Sequence, residues 1–306
     1  MFLDLTDEQK ALQQELRTYF TELMTPEVKA RVSSADFAEN LSYKALIRQI
    51  GADGWLGVGW PVEYGGRGFT PIEQYIFFNE SQAVGCPIPF LTTNTVGPTI
   101  RQFGTEEQKG FFLKRILAGE VHFSIGYSEP DAGTDLASLT TRAVPDGDSW
   151  IINGQKHYVS GSGVPDLLFG PMMTDPDAPR HRNLGYFMIE NPAEGLTVNR
   201  MALLAGSRQN RIYMDNVRQP GDHLIGGPNQ GWQVTQTTLE QEHGGRGQAF
   251  PRDEALEHLL EYVKTTKRGG EGIAADQSVA LDTVSYTHLR AHETDSYLVC
   301  RLLLEK

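Results

Sequence analysis

Cysteine is nearly absent from this chain, and it carries no excess of positive charge. Two cysteines, Cys86 and Cys300, occur among 306 residues, so neither a disulfide framework nor a zinc-ribbon spacing is available. The formal net charge of -12 excludes nonspecific binding to nucleic acid or to anionic membrane surfaces, because both require basic surface. A local basic pocket for an anionic ligand remains compatible with this charge.

Long apolar runs are lacking as well. The opening stretch "MFLDLTDEQKALQQELRTYF" carries acids and amides instead of the basic stretch and apolar core of a signal peptide. No later segment is long and apolar enough to span a bilayer. Together with the scarcity of cysteine, these features predict a cytoplasmic setting. The composition, with 39% apolar and 22% charged residues, is typical of a globular protein with a sizeable core.

The C-terminal end differs in character from the rest. From Val284 the sequence reads "VSYTHLRAHETDSYLVCRLLLEK", which breaks the helical pattern before it. This tail, residues 284–306, resembles the translation of a sequencing-library adaptor, and such a scar is excluded from reasoning about fold. The alternative is a native helical C-terminus. The adaptor interpretation removes His288, His292 and Cys300 as metal ligands and predicts that the native protein continues past Thr283.

Hydrophobic spacing divides the remainder into three zones. Residues 1–120 show helical spacing in four segments, two of them with Thr6 and Thr105 as N-caps. Residues 121–226 show short β-branched and aromatic runs, and "PDGD" and "NG" between such runs predict hairpins. Because these runs follow one another without helices between them, they predict an antiparallel β domain. Helical patterning resumes in residues 227–283, so the predicted fold class is α+β.

The stretch "GYSEPDAGTDLASL" concentrates three carboxylates after a predicted strand. A metal site needs converging ligands, and a paired-carboxylate hydrolase needs a second, distant acid. Glu129, Asp131 and Asp135 are interpreted instead as turn and helix-start residues with surface charge. Gly133 lets the backbone approach a ligand closely, and exposed amides in such a turn can hold an anion. An anion-binding turn and an ordinary turn both remain open.

Five segments, taken in order, resemble the acyl-CoA dehydrogenase family. They are "GWPVEYGGRG", "GYSEPDAGTD", "WIINGQKHYVSGSGVPD", "NRIYMDNVRQP" and "GPNQGWQVTQTTLEQE". Each is modest alone, and together they extend the resemblance to about Thr283. The resemblance implies an N-terminal helical domain, a middle β domain and a C-terminal helical bundle, of which this chain holds only the first part. FAD would lie between the β domain and the C-terminal helices.

The resemblance also assigns residues to the cofactor. The matching positions are Tyr127, Ser128, Gly133, Thr134, Tyr158, Val159 and Ser160. Tyr127 and Ser128 match the strand end that meets the flavin ring, while Thr134 matches a hydroxyl that contacts the flavin phosphates and borders the acyl-CoA pocket. An aromatic against the ring and a hydroxyl near its N5 edge suit a group that is apolar in the middle and polar at its edges. By its pattern alone, Tyr158 would be an ordinary strand aromatic.

A glutamate provides the catalytic base in this family. It removes the proton alpha to the thioester while the beta carbon gives a hydride to flavin N5. Many members supply it from a later C-terminal segment, and others from the first helix of the bundle, where Glu242 in "LEQEHGG" matches. The alternative is that Glu240 and Glu242 are exposed helix charges. His243, assigned with Glu242 and Thr134 to the substrate pocket, stands where an arginine is more usual, and the run "LLAGSRQNRIYMDNV" is unusually short.

The resemblance implies FAD-dependent α,β-dehydrogenation of an acyl-CoA thioester, with electrons passed to an electron-transfer flavoprotein. It also implies a homo- or hetero-oligomer. Two alternatives are a non-catalytic partner subunit of a heteromeric dehydrogenase and a flavin oxidase or monooxygenase on the same fold. The segment "GWPVEYGGRG" resembles bacterial members that act on bulky or steroid-derived acyl groups. A chain without most of the bundle would lack part of the flavin pocket and is expected to be inactive by itself.

Overall fold

A computed structural model describes residues 5–32, 41–160, 165–203, 208–244 and 254–281. The α-helices of these ranges are α1 (Asp7–Leu23), α2 (Pro26–Val32), α3 (Leu41–Ala52), α4 (Pro71–Ala83), α5 (Gly97–Phe103), α6 (Glu106–Leu117), α7 (Gly231–Gly244) and α8 (Glu254–Thr265). A π-helical turn, Leu91–Val96, leads directly into α5. Residues 284–306, interpreted above as a non-native tail, lie outside the described ranges.

The strands of the described ranges number ten. They are β1 (Phe123–Ile125), β2 (Arg142–Asp146), β3 (Ser149–Val159), β4 (Leu167–Met173), β5 (Leu184–Glu190), β6 (Leu196–Ala202), β7 (Arg208–Pro220), β8 (Leu224–Ile225), β9 (Lys267–Arg268) and β10 (Glu271–Gly272). A helical N-terminal region followed by a mostly antiparallel β region confirms the α+β class. No helix of the described residues is long and apolar enough to cross a membrane.

Backbone contacts divide the chain into two compact units. The first comprises the described parts of residues 1–20, 75–86 and 248–306, and the second those of residues 21–74 and 87–247. The division at residues 120, 226 and 283 that the sequence suggests stays a prediction. Each unit is described by itself below.

The first unit contains a buried carboxylate that is fully paired. Glu80 of α4 is 2% exposed and accepts two hydrogen bonds of 3.0 Å from the guanidinium of Arg17 in α1. Gln13 of α1 donates a third hydrogen bond to Glu80, also of 3.0 Å. Phe20 and Phe77 pack edge to face beside them, with ring centroids 5.4 Å apart. The pair therefore joins α1 to α4 within this unit.

Both N-cap predictions are confirmed. At the start of α1, the Gln9 N–H donates to Thr6 Oγ1 at 3.3 Å, and the Thr6 N–H donates to Gln9 Oε1 at 3.0 Å. Thr105 and Gln108 exchange the same two hydrogen bonds at the start of α6, at 3.2 and 2.9 Å. These capping boxes satisfy amide groups that have no partner inside the helix.

An eight-stranded sheet forms the centre of the second unit. Seven strands lie in the order β6-β7-β3-β2-β4-β5-β8, and β1 pairs with β4. Most neighbours are antiparallel, as the sequence predicts. The β1–β4 pair is parallel, and β2 meets β4 in parallel through Arg142 and Met173. The predicted antiparallel domain is therefore confirmed for most of the sheet. The parallel β1–β4 pair departs from it, because the β2–β3 hairpin lies between these two strands in the chain, so β4 runs in the same direction as β1.

One of the two hairpin signals is confirmed. In "PDGD" the β2–β3 hairpin closes between Asp146 and Ser149, which pair directly. The "NG" prediction is wrong, because Gly154 lies inside β3 and marks a register shift against β7 just after Ile152. Its φ is 145°, and a Cβ there would lie 2.5 Å from Thr141 Oγ1. This glycine therefore serves a bulge and a close backbone approach instead of a turn.

Both faces of the sheet are covered in the second unit. Leu168 and Phe169, neighbours in β4, point to opposite faces and belong to different clusters. The Phe169 cluster includes Val96, Ile100, Phe112, Leu113, Ile116, Phe123, Tyr186, Met188 and Val234. The Leu168 cluster includes Ala143, Ile152, Val159, Met172, Phe187, Ile189, Ile212, Met214 and Val217. The ends of β1 and β3 therefore rest on a well-packed interior.

His122, just before β1, should make the second unit sensitive to acid. It is 7% exposed, and neither ring nitrogen has a hydrogen-bond partner among the residues that the structure describes. Burial lowers its pKa from 6.5 to about 4, against the opposing charge of Asp166. The unfolded chain therefore binds the proton first, and stability should fall by about 3 kcal/mol as the pH drops from 6.5 to 4. Chemical denaturation of the wild type and of His122→Leu at pH 7 and pH 5 checks this.

The difference between the two proteins isolates His122 from other acid-sensitive groups. The wild type should lose more stability than His122→Leu between the two pH values. His181→Leu, at an exposed position, is the control and should lose as much as the wild type. Equal losses in the wild type and in His122→Leu would contradict the prediction.

Candidate functional site

The structure brings the two predicted flavin segments together. Ile125, the last residue of β1, forms an antiparallel bridge with Ser160, just past the end of β3. The His157 N–H donates to the Ser128 carbonyl at 2.8 Å. The segment with Tyr127 and Ser128 therefore lies directly beside the last residues of β3. The sequence grouped these segments by resemblance alone, whereas the backbone pairing shows that they share one edge.

A buried ion pair lies under these two segments. Lys156 of β3 is 0% exposed, and its ammonium lies 2.8 Å from Glu129 Oε1, with the Glu129 side chain 2% exposed. The same ammonium donates to the Tyr127 carbonyl at 3.2 Å. The interpretation of Glu129 as a surface turn charge is therefore wrong. The physical reason is that Lys156 is on the inward side of β3 and requires a carboxylate partner there.

Glu129 has further partners on its other side. Its Oε2 accepts hydrogen bonds from the Thr140 N–H at 2.6 Å and from Thr140 Oγ1 at 2.9 Å. The Thr141 N–H donates to the same carboxylate at 3.2 Å. Burial raises the pKa of Glu129, but the Lys156 charge and these hydrogen bonds outweigh it and hold the pKa below the ordinary value. The carboxylate is therefore ionised at neutral pH.

For Lys156 the effect of burial on the pKa outweighs that of its partner. Burial lowers its pKa, and the adjacent Glu129 carboxylate opposes that shift. We treat the ammonium as charged, because it lies within 2.8 Å of an ionised carboxylate that two backbone amides also stabilise.

The turn after Ser128 is open to solvent. Glu129 and Ala132 close it by exchanging backbone hydrogen bonds of 2.8 and 3.3 Å. Gly133 and Thr134 are exposed, and, its chain neighbours apart, no heavy atom of the described residues lies within 4 Å of the position of a Gly133 Cβ. Asp135 is exposed and pairs with Arg180. This geometry leaves Gly133 and Thr134 accessible to a ligand, and the surface interpretation of Asp135 is confirmed.

Tyr158 adopts an unusual backbone conformation at the end of β3. Its φ is 56°, a region that non-glycine residues seldom occupy, and its side chain is 61% exposed. An ordinary strand aromatic would have an extended backbone and pack on the sheet. Such strain concentrates at functional sites and supports a role for the exposed ring.

The two residues that follow Tyr158 differ from each other in exposure. Val159 is fully buried in the Leu168 cluster and pairs with Asn210 of β7, so only its backbone can reach a ligand. Ser160 is exposed, and its hydroxyl accepts a hydrogen bond of 3.1 Å from Gln209.

Glu242 lies near the first flavin segment. It is half-buried in the last turn of α7, whereas Glu240 and His243 are exposed. Burial raises the pKa of the Tyr127 phenol above its ordinary value, and the Glu242 charge adds to that shift. Burial and the same carboxylate also raise the pKa of Tyr186 in β5. The candidate base is thus close enough to both phenols to act on them electrostatically.

The two phenols are unusual in another respect. The hydroxyls of Tyr127 and Tyr186 are buried, and neither makes a hydrogen bond of acceptable geometry in the described part of the protein. They nevertheless lie close enough to each other, and to Thr238 of α7, for each to influence the other's pKa. Buried hydroxyls without a partner are uncommon, and here they mark a polar spot beside Glu242. Sequence reasoning missed Tyr186 and Thr238, because nothing local links β5 to α7.

The residues present fit a flavin. An exposed aromatic, an open Gly-Thr turn and two unpartnered hydroxyls suit a large ligand with an apolar centre and polar edges. Among the described residues, no three His, Cys, Asp or Glu side chains are grouped so that they could hold a metal ion.

Two family models match most of the described chain. "Acyl-CoA dehydrogenase, N-terminal domain" matches residues 6–120, and "Acyl-CoA dehydrogenase, middle domain" matches residues 124–217. The chain therefore belongs to the acyl-CoA dehydrogenase family, whose members are FAD-dependent oxidoreductases acting on CH–CH groups.

Two relatives from Mycobacterium tuberculosis are similar to most of this chain. Acyl-CoA dehydrogenase FadE29 of Mycobacterium tuberculosis is 45% identical over 243 residues, which are 79% of this chain and 62% of that protein. FadE26 of the same organism is 39% identical over 296 residues, 95% of this chain and 74% of that protein. The chain thus spans less than two thirds of the length of FadE29.

Two solved structures are similar to this chain in both fold and sequence. The ChsE4-ChsE5 complex from Mycobacterium tuberculosis matches with a TM-score of 0.81 at 37% identity, covering 97% of this chain and 78% of that chain. The Tcur3481-Tcur3483 steroid ACAD matches with a TM-score of 0.84 at 37% identity, covering 96% of this chain and 76% of that chain.

Proposed function

We propose that this protein is an FAD-dependent dehydrogenase of acyl-CoA thioesters in which Glu242 is the catalytic base. The observation that supports this most is the position of α7: its Val234 lies in the cluster that Tyr127 of the first flavin segment packs against, and its last turn carries Glu242. A general base has to lie beside the cofactor, since the proton and the hydride leave adjacent carbons of one substrate.

Each residue of the site has a role in this proposal. When bound, FAD supplies the acceptor for the hydride that leaves the beta carbon. The Glu242 carboxylate takes the proton from the alpha carbon, and half-burial in α7 shields it from water. The hydroxyls of Tyr127 and Tyr186 are available as donors beside it. Tyr158 provides an aromatic surface for the flavin, while Val159 and Ser160 provide backbone and hydroxyl groups at its edge.

The open turn binds the anionic parts of the ligands. Gly133 and Thr134 are exposed, and small residues in such a turn let backbone amides reach phosphate oxygens. Ser128, whose carbonyl is held by the His157 N–H, keeps the strand end next to this turn. Exposed His243 completes the substrate side in this proposal.

The relatives favour a bulky acyl group and an oligomeric protein. A steroid ACAD and the ChsE4-ChsE5 complex are both 37% identical to this chain. We therefore include in the proposal a steroid-derived acyl-CoA as substrate and a partner subunit of related sequence. An electron-transfer flavoprotein as electron acceptor and a cytoplasmic location also stay parts of the proposal, carried by the sequence and the family resemblance.

Anaerobic titration of the FAD-loaded protein, together with its partner subunit, with a steroid-derived acyl-CoA tests the function. Loss of the oxidised flavin absorption, reversed by an electron-transfer flavoprotein, is the expected result. Rapid reversal by air instead would favour the oxidase or monooxygenase alternative. No reduction, even with the partner subunit present, would favour a non-catalytic subunit and contradict the proposal.

Replacing Tyr158 by asparagine should separate binding from stability. Asparagine accepts a positive φ more readily than tyrosine, so the free energy of unfolding should be unchanged or up to about 1 kcal/mol higher. Loss of the exposed ring should weaken FAD binding by about tenfold, equivalent to about 1.4 kcal/mol of aromatic contact. Fluorescence titration with FAD and chemical denaturation measure the two effects.

Tyr262→Asn is the matched control for this prediction. Tyr262 is also an exposed tyrosine, at 57%, but it lies in α8. Its replacement should leave the affinity for FAD unchanged. Unaltered FAD binding by Tyr158→Asn would remove this ring from the proposed site.

A further inference from the structure

The Lys156–Glu129 pair connects the two predicted flavin segments to each other and to the chain between them. Lys156 is in β3, two residues before Tyr158, and its ammonium reaches across to the Tyr127 carbonyl at 3.2 Å and to Glu129 at 2.8 Å. Glu129 in turn accepts hydrogen bonds from Thr140 and Thr141, the two residues that precede β2. One pair of side chains thus joins the end of β1, the following turn, the approach to β2 and the end of β3.

Stability alone is a poor explanation for such a pair. Removing two charges from water is so unfavourable that well-packed apolar side chains often stabilise a protein equally well. What apolar side chains cannot do is bond to the Tyr127 carbonyl and to the amides of Thr140 and Thr141 in a fixed direction. The pair therefore contributes a defined geometry, which packing of methyl groups does not specify.

The backbone around Tyr158 shows why fixed geometry matters here. The β3–β7 register shifts between Lys156 and Val159, and Tyr158 between them has a φ of 56°. A strained backbone persists only where its surroundings determine it. The buried ammonium immediately before the shift joins that end of β3 to Glu129 and to the Tyr127 carbonyl.

We propose that Lys156 and Glu129 are positioning residues that hold the Tyr127–Ser128 segment against the Tyr158–Ser160 segment in the arrangement that binds flavin. Neither side chain contacts the ligand itself, since both are buried under the strand ends. The inference rests on the proposed function, because it assumes that flavin binds at these two segments.

Paired substitutions separate positioning from charge balance. In Glu129→Met with Lys156→Met, both charges are gone, so the chain should fold, but the hydrogen bonds that orient the segments are lost. In Glu129→Gln with Lys156→Gln, both charges are gone and hydrogen bonding is retained. We expect FAD to dissociate at least tenfold more readily from the methionine pair and within about threefold of the wild type from the glutamine pair. Fluorescence titration and the visible flavin spectrum measure binding, and denaturation measures stability independently.

Glu80→Gln is the matched control, because Glu80 is also a buried, paired carboxylate but lies in α4, which carries no predicted flavin residue. It should lower stability and leave the FAD affinity of the folded protein unchanged. If the methionine pair does not fold, Thr140→Val replaces it as the test. This isosteric change removes only the hydroxyl that donates to Glu129 at 2.9 Å, and it should weaken FAD binding about two- to fivefold.

The outcomes distinguish this inference from the proposed function. A wild-type chain that binds no FAD would overturn the proposed function and this inference with it. A wild type that binds FAD, together with a folded methionine pair of equal affinity and an unchanged flavin spectrum, would overturn the positioning role alone. If the methionine pair fails to fold, an FAD affinity of Thr140→Val equal to that of the wild type would also overturn the positioning role.

Discussion

Lys156→Met alone is expected to lower the free energy of unfolding by about 3–5 kcal/mol, since it leaves an ionised carboxylate buried without its counter-charge. Glu129 is 2% exposed, and its hydrogen bonds to Thr140 and Thr141 fix it in place, so it has no route to solvent. Denaturant titration followed by fluorescence measures the loss. A decrease below about 1 kcal/mol would mean that the carboxylate relaxes to solvent or protonates easily.

The single variant Glu129→Met and the double variant with Lys156→Met complete a thermodynamic cycle. Once both charges are removed, most of the lost stability should return, which gives a coupling energy between the two sites. Acid should act on the wild type through the same pair. The pKa of Glu129 lies below its ordinary value, so its contribution is present above about pH 4.5 and is lost as the pH falls further. The methionine pair should lack this part of the acid sensitivity.

Sequence reasoning succeeded where a signal is local. Thr105 and Gln108 are three residues apart, and a capping box needs nothing else. The "PDGD" turn likewise carries its own backbone preferences. The "NG" pair has the same local signal as a hairpin, but β7, about sixty residues further on, pairs with β3 on both sides of Gly154. Long-range pairing therefore overrode the local preference at that point.

Direction and burial in the sheet were harder to predict. The run containing Phe123 has the same apolar pattern whether its partner runs parallel or antiparallel, so the β1–β4 pairing could not be predicted from it. The π-helical turn before α5 also lacks a distinctive sequence pattern. For Glu129, a signal did exist. Lys156 follows Ile152 by four residues on the inward side of β3, and a buried lysine requires an acid.

The sequence pointed to the two strand ends of the candidate site but not to its cluster of phenols. The family resemblance pointed to the strand ends with Tyr127 and Tyr158, and the structure shows that their backbones pair. The resemblance could not indicate that the phenols of Tyr127 and Tyr186 come together near Glu242. That cluster joins β5 to α7, and only the folded chain brings those elements into contact.

Glu242→Gln is expected to slow substrate-dependent flavin reduction by about 10³-fold, within the range that a positioned general base contributes. Glutamine keeps the size and polarity of the side chain but cannot accept the alpha proton. FAD affinity and the free energy of unfolding should stay unchanged, because glutamine keeps the shape and polarity of a side chain that is still partly exposed in the last turn of α7. Anaerobic stopped-flow measurement with a steroid-derived acyl-CoA, on the protein together with its partner subunit, gives the rate.

Exchange of the substrate's alpha proton with deuterated water provides a second measurement that isolates proton transfer from hydride transfer. Glu242→Gln should abolish that exchange, whereas Glu242→Asp, which keeps the carboxylate one methylene further back, should retain part of it. Glu240→Gln is the control, because Glu240 is exposed on the same helix and should leave both rates unchanged. Unaltered flavin reduction and exchange in Glu242→Gln would remove this residue from the mechanism and transfer the role of base to another carboxylate. A slowed reduction with normal exchange would instead show that Glu242 orients the thioester without taking its proton, since the two steps use different atoms of the substrate.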